Sequence, residues 1–304
     1  MLTTIKPIYS TDERSIKKIQ DILSKVSTIS PYAFFSYKKK VIKKVAKKKK
    51  TKRVSDENSS KNLHIFFDID STLTHGGISA ISREVKSVFD QFKAHSCALY
   101  FCTGRAYQVV KRLTQRYGFG HEYGIAENGG IILGMGDADS GHKHGDNTEP
   151  KKVLTHLKKN RIPFMEDPNQ RNRKTEIVID LTSISPRKIK NEIHNLRAKV
   201  ECHKSKQAYH ITKKGINKGS AIEVLTSEEL ELDSRNDKVI GVGDSELDLK
   251  MFEYCNEGYL VPSNDKQLKK KIQKDPKLRN KVHFLRETAP YSVAELYKQL
   301  FPFG

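Results

Sequence analysis

The sequence predicts an α/β fold: a Rossmann-like three-layer α/β/α core on a parallel sheet, with a smaller α+β domain inserted into it. Two observations carry that expectation. Short apolar runs recur along the chain, each ending in polar residues, and helical patterns separate them. Over 131–213 this rhythm gives way to a helix, a strand, a second helix and two short strands.

The elements follow in order. Leu63-His64-Ile65-Phe66-Phe67 is the first buried strand and ends at Asp68. Ala98-Leu99-Tyr100-Phe101-Cys102 is the second and ends at Thr103-Gly104-Arg105. Tyr123-Gly124-Ile125-Ala126 is a weaker third, before Glu127-Asn128-Gly129-Gly130. Val239-Ile240-Gly241-Val242 is the fourth, before Gly243-Asp244, and Gly258-Tyr259-Leu260-Val261 the fifth. Helical spacing falls near 80–93, 105–117, 218–229, 245–254 and 264–273. Strands that read as continuous apolar runs are covered on both faces, and ligands then bind beyond their carboxyl ends. Asp68, Asp70, Thr103 and Asp244 gather at those ends. In the insertion, a Gly-rich loop over 134–145 precedes helices near 149–159 and 186–197. Strands are expected at 176–181, 199–203 and 207–212. The expected domains are a basic extension over 1–60, a core from 61–130 and 214–304, and the insertion over 131–213.

The chain has 304 residues and a formal net charge of +20, unevenly spread. Residues 1–60 hold 16 Lys or Arg against 5 Asp or Glu. Residues 38–53, which begin at Lys38 and end at Arg53, hold 11 basic residues and no acidic one. Such a run suits nucleic acid, a nuclear localisation signal if the source is eukaryotic, or an anionic surface, and otherwise serves as a solvated tail. A run of about 20 apolar residues, which a membrane-spanning helix needs, is missing. The expected location is cytoplasmic. Four cysteines in a chain this long make no disulfide framework.

Four short segments carry chemistry. Asp68-Ile69-Asp70-Ser71-Thr72 places two carboxylates at a strand end, where one can attack an electrophile while the other handles a proton. Carboxylates so packed also suit Mg²⁺. Thr103-Gly104 offers a hydroxyl and N–H groups at a helix start, an anion site. Lys218 opens a helix and can face a phosphoryl group as a fixed cation. Gly243-Asp244-Ser245-Glu246-Leu247-Asp248 adds two carboxylates after a strand. Each alone is an ordinary cap or loop; the order, each after its own strand, is the specific signal.

On these residues the sequence resembles the haloacid dehalogenase superfamily of phosphotransferases. Asp68 to Thr72, Thr103, Lys218, and Asp244 with Asp248 look like its four motifs. Ile125-Ala126-Glu127-Asn128-Gly129-Gly130 resembles the segment entering a type 2B cap. Glu287-Thr288-Ala289-Pro290-Tyr291-Ser292-Val293 resembles the C-terminal segment of archaeal-type phosphoglycolate phosphatases. Cof-like sugar phosphatases share the pattern. The resemblance spans about residues 62–301.

It implies a phosphatase working through an aspartyl-phosphate. Asp68 would attack phosphorus, and Asp70 would protonate the leaving alcohol and then activate water. Mg²⁺ would be held by Asp68, the backbone carbonyl of Asp70, and Asp244. Thr103, the Gly104 N–H and Lys218 would hold the phosphoryl oxygens, with Asp248 positioning Lys218. The substrate would be a small phosphorylated metabolite, phosphoglycolate or a sugar phosphate. The insertion would choose it, and Arg171, Arg173 and Lys174 are the leading candidates there, followed by Lys204, Lys206 and His210. One departure stands out: many relatives carry Asn where this chain has Leu247, which cannot donate a hydrogen bond. The alternatives are a nucleic-acid-associated phosphatase tethered by the basic segment, a phosphosugar mutase, and a weakened phosphate-binding protein.

Overall fold

The computed structural model describes residues 61–302, apart from 76–79, 120–122, 137–140, 206–207 and 264. The basic segment at 38–53 and Lys206 lie outside the described residues.

Strand β1 (Asn62–Phe67) runs parallel between β2 (Ala98–Cys102) and β9 (Asp237–Gly243). β10 (Glu257–Leu260) and β11 (Val282–Phe284) extend the parallel sheet beyond β9. On the other side β3 (Gly124–Ala126) is parallel to β2. β4 (Ile131–Leu133) and β5 (His142–Lys143) then continue antiparallel, giving the eight-stranded order β11-β10-β9-β1-β2-β3-β4-β5. The central position of β1 places Asp68 beside the ends of β2 and β9, which carry Thr103 and Asp244.

Alternation along β1 divides the core. Ile65 and Phe67 face a cluster with Val85, Phe89 and Phe92 of α1 (Arg83–Ala94) and with Val293 and Leu296 of α8 (Ser292–Leu300). Helix α2 (Tyr107–Tyr117) joins that side through Tyr107 and Val110. Phe66 faces the opposite cluster, with Ile222 of α5 (Lys218–Val224), Phe252 of α6 (Leu249–Tyr254) and Ile272 of α7 (Lys266–Lys274). Complete burial of such a side chain contributes about 1.5–3 kcal/mol. Both faces being covered is why β1 reads as a mostly apolar run from Leu63 to Phe67.

The helices begin where the sequence offers caps. Ser82 accepts from the Val85 N–H ahead of α1. Asn217 and Ser220 form a reciprocal capping box that opens α5 at Lys218.

The insertion forms its own layers. β6 (Ile177–Asp180), β8 (Ala208–Lys213) and β7 (Val200–Lys204) make an antiparallel sheet in the order β6-β8-β7. α3 (Thr148–Lys159) and α4 (Pro186–Leu196) contribute Val153, Leu157 and Ile189 to one apolar cluster with Ile177, Ile179, Tyr209 and Ile211. The alternate residues Val178, Ala208 and His210 turn to the other face and line a cavity. The expected insertion begins at 131, yet β4 and β5 pair within the larger sheet.

One close approach and a left-handed turn fix the junction. Gly129 adopts φ 103°, and a Cβ there would sit 2.1 Å from the Asn217 carbonyl oxygen. Glu127 and Asn128 both hold left-handed backbone, with φ 51° and 53°. This turn leads out of β3 and packs against the start of α5.

Candidate active site

Asp68 follows β1 and is anchored by its N–H to the Val242 carbonyl at 2.8 Å. Ser71, at φ 62°, turns the chain so that the N–H groups of Thr72 and Leu73 both point to the Ile69 carbonyl. The turn brings Asp68, Asp70 and Ser71 to one cavity of about 710 Å³.

Lys218 is buried at the start of α5, 2 % exposed. Its Nζ donates to Asp68 Oδ1 at 2.8 Å and to Asp248 Oδ1 at 2.6 Å. The other oxygen of Asp248 accepts from the Asp244 N–H at 3.0 Å, the Ser245 N–H at 2.9 Å and the Ser245 hydroxyl at 2.8 Å. Asp248 is thus consumed as a bracket: it closes the turn after β9 and aims Lys218 at Asp68. Burial outweighs the pull of Lys218 and, aided by Asp248, Asp244 and Asp70, pushes the Asp68 carboxyl up to about 8. Burial works against the charge on Lys218, but Asp248 and Asp68 overcome it and raise the ammonium above its ordinary value.

Carboxylate oxygens of Asp68, Asp244 and Asp248 lie within 4.8 Å of one another, all buried. Three buried carboxylates against one lysine make a local excess of negative charge that a divalent cation neutralises, so the donor set fits a metal. Because Asp248 is committed to Lys218 and the turn, Asp68 and Asp244 are the side chains that would hold it. The Thr72 hydroxyl donates to Asp244 Oδ1 at 3.4 Å.

Asp70 is held by Arg105 through two bonds, Nε to Oδ2 at 3.0 Å and Nη2 to Oδ1 at 2.7 Å. Gly104 lines the cavity, while Thr103 lies wholly buried behind it and accepts the Arg105 N–H at 3.3 Å. Leu247 lines the cavity as an apolar, half-buried side chain.

The three leading insertion candidates part company. Arg173 lines the cavity, donates from Nη1 to the Gly104 carbonyl at 2.6 Å and is ion-paired with Glu176. Arg171 is exposed and outside the lining. Lys174 lies over the Tyr107 ring, 4.7 Å from its centroid, also outside the lining. His210 does line the cavity.

Behind Arg173 stands a buried polar network whose roles the sequence did not disclose. Glu176 Oε2 accepts from Asn128 Nδ2 at 2.9 Å and lies 3.2 Å from His210 Nδ1. Burial pushes against its charge, but Arg173 and then His210 outweigh this and hold its carboxyl below the ordinary range. Glu127 Oε2 accepts from the N–H groups of Lys174 and Thr175 and from the Thr175 hydroxyl, each at 2.8 Å. Burial, with Glu176 adding to it, pushes Glu127 above the ordinary carboxyl range. Glu127 Oε1, Asn128 Oδ1 and Arg173 Nε are buried with no partner among the described residues. Leaving each so costs about 1–3 kcal/mol.

A family model for haloacid dehalogenase-like hydrolases matches residues 65–166 and 136–275. The chain belongs to this family. Among curated relatives of this haloacid dehalogenase-like hydrolase, a phosphoglycolate phosphatase of Haloarcula marismortui is 28 % identical over 234 residues, covering 75 % of this chain and 96 % of the relative. A second, from Halorubrum lacusprofundi, is 27 % identical over 201 residues, covering 65 % and 83 %. A Thermoplasma acidophilum protein superposes with a TM-score of 0.62 at 18 % identity, covering 79 % of this chain and 98 % of that one. The sucrose-phosphatase of Synechocystis, solved with sucrose and phosphate, gives 0.58 at 17 % identity, covering 80 % and 99 %. At such identities the structures establish the shared fold. Among the described residues, no helix is long and apolar enough to cross a membrane.

Proposed function

We propose that this enzyme is a Mg²⁺-dependent phosphomonoester hydrolase that works on a small phosphorylated metabolite through an aspartyl-phosphate. The observation that carries the reading is the Lys218 ammonium bound between Asp68 and Asp248 in the wall of the cavity. A carboxylate kept oriented by a fixed cation, beside backbone N–H donors, suits attack on a phosphoryl group. The curated relatives' phosphoglycolate phosphatase activity supports the same reading.

An Asp68 oxygen forms the new bond to phosphorus as the ester oxygen leaves with the P–O bonding electrons. Asp70, protonated when the ester binds, gives that oxygen its proton. Asp70 then takes a proton from water, whose oxygen attacks the aspartyl-phosphate, releasing inorganic phosphate and restoring Asp68. Lys218 neutralises the phosphoryl oxygens, the Gly104 N–H donates to them with Thr103 buried behind it, and Asp248 keeps Lys218 in place. Asp68, Asp244 and the Asp70 carbonyl would hold Mg²⁺, which when bound would supply charge neutralisation and help orient the attack. The segment that follows β5, 144–213, serves as the cap over the core formed by 61–143 and 214–304, and Arg173 and His210 are its substrate-facing groups.

The test is turnover of p-nitrophenyl phosphate with Mg²⁺, with a chelator, and by Asp68→Asn. Turnover confined to the first condition is expected; equal rates in all three would overturn the reading.

A further inference from the structure

Every Lys and Arg lining the cavity is already ion-paired with a carboxylate: Lys218 with Asp68 and Asp248, Arg105 with Asp70, and Arg173 with Glu176. On the insertion side Asp167 and Asp180 add further carboxylates to the lining. Each already accepts a backbone N–H, from Asn169 and Thr182 respectively. A carboxylate on the leaving group would enter among acidic side chains and compete for cations already engaged.

Two residues that line the same cavity each carry a buried polar atom without a partner among the described residues. Asn128, 3 % exposed, has the acceptor Oδ1, and Arg173 has the donor Nε. The amide orientation of Asn128 is fixed by chemistry, because its Nδ2 faces Glu176 Oε2 at 2.9 Å and a reversed amide would set oxygen against carboxylate. Its Oδ1 sits beside the turn that follows β2: a Cβ placed on Gly104 would lie 2.9 Å from it. A carboxylate can only accept and an ammonium only donate, whereas a hydroxyl does both.

We propose that Asn128 is a specificity-determining residue that accepts a hydrogen bond from a hydroxyl of the leaving group. Arg173 Nε donates to the same polar end. The pair selects hydroxyl-bearing phosphomonoesters over carboxylate-bearing ones such as phosphoglycolate. Glu176, bonded to both residues, holds them in position.

This inference rests on the phosphatase reading, and the experiment separates the two. The full chain with Mg²⁺ is assayed on 2-hydroxyethyl phosphate, ethyl phosphate, phosphoglycolate and p-nitrophenyl phosphate. Glycerol 3-phosphate against propyl phosphate extends the reach by one carbon. The hydroxyl compounds are expected to exceed both the plain alkyl esters and phosphoglycolate in kcat/KM by about tenfold or more, as a site with unpaired polar groups rejects analogues that cannot pair them. Asn128→Gly keeps the left-handed backbone accessible and is expected to bring the hydroxyl-to-alkyl ratio close to one. Phosphoglycolate turned over as well as the hydroxyl compounds overturns the inference, as does an undiminished ratio in a folded Asn128→Gly. If that variant fails to fold, the wild-type ranking alone decides. Failure to hydrolyse any compound, p-nitrophenyl phosphate included, overturns the phosphatase reading and this inference with it.

Discussion

Arg105 grips Asp70 at both carboxylate oxygens, with Nε 3.0 Å from Oδ2 and Nη2 2.7 Å from Oδ1. The two residues follow neighbouring parallel strands, so the sheet itself sets their spacing. The Asp70 side chain is 47 % exposed, and without the guanidinium nothing so rigid would choose its rotamer.

Arg105→Ala is therefore expected to lower kcat by about 10–100-fold, the scale of a misplaced catalytic group. Thermal stability should hardly move, because a partly exposed pair contributes little to folding. Arg105→Lys should not restore the rate, since an ammonium cannot reproduce the planar two-point grip. Steady-state rates on p-nitrophenyl phosphate beside melting curves check this; a normal kcat in Arg105→Ala would refute it.

Asp248 behaves in the opposite way. It is fully buried and accepts four hydrogen bonds, one from Lys218 and three from the turn after β9. Asp248→Asn cannot accept on both sides, and either way a buried partner is left unpaired. The expected loss is about 3 kcal/mol of unfolding free energy, read by urea titration with unchanged slope. By contrast Lys86→Ala, which removes an exposed pair with Asp90, should leave the midpoint in place. Equal midpoints for Asp248→Asn and wild type would refute the bracket role.

Much of this site was legible in sequence because it sits at strand ends. An apolar run that stops at Asp68, another at Thr103 and a third at Asp244 must bring those residues together once the runs pair in parallel. Lys218 follows for a similar reason, since the capping residues Asn217 and Ser220 mark the start of its helix. The fold's weak points in sequence were β4, β5 and β11, which are only two or three residues long and too short for periodicity to register. The network of Asn128, Arg173, Glu176 and His210 was hidden for another reason. Its members come from the core turn, the loop that leads into β6 and strand β8 of the insertion, so only the packed structure joins them. Arg171, Arg173 and Lys174 look alike in sequence, but no period governs side-chain direction in a loop, and only Arg173 reaches the cavity.

Glu127 should impose a pH dependence on stability. Its carboxyl is pushed above its ordinary value of 4.5 by burial and Glu176. Between that value and its raised one, the folded chain holds the proton while the unfolded chain has lost it. Raising pH through this window therefore favours unfolding. Glu127→Gln removes the titration and keeps an acceptor for Lys174 and Thr175. Urea unfolding of both proteins in chelator, from pH 4 to pH 7, is expected to find the variant gaining relative to wild type as pH rises. A constant difference across that range would mean that Glu127 does not titrate in it.

The buried carboxylates also predict how the protein responds to metal. Asp68 and Asp244 carry oxygens within 4.8 Å of one another, with Lys218 as the cation bonded to Asp68, so an added divalent ion relieves their repulsion in the folded state alone. Mg²⁺ at about 100 times its dissociation constant should add about 2.7 kcal/mol, and about 2–4 °C of melting temperature per kcal/mol. Asp244→Asn keeps the backbone N–H that bonds Asp248 and so preserves the turn, but it withdraws one metal-binding charge. The variant should melt near the metal-free wild type, gain little from Mg²⁺ and lose turnover. A full Mg²⁺-induced shift in Asp244→Asn would move the metal away from this carboxylate pair, whereas no shift in the wild type would leave the excess negative charge to be balanced by protonation of Asp68, whose carboxyl is already pushed up to about 8.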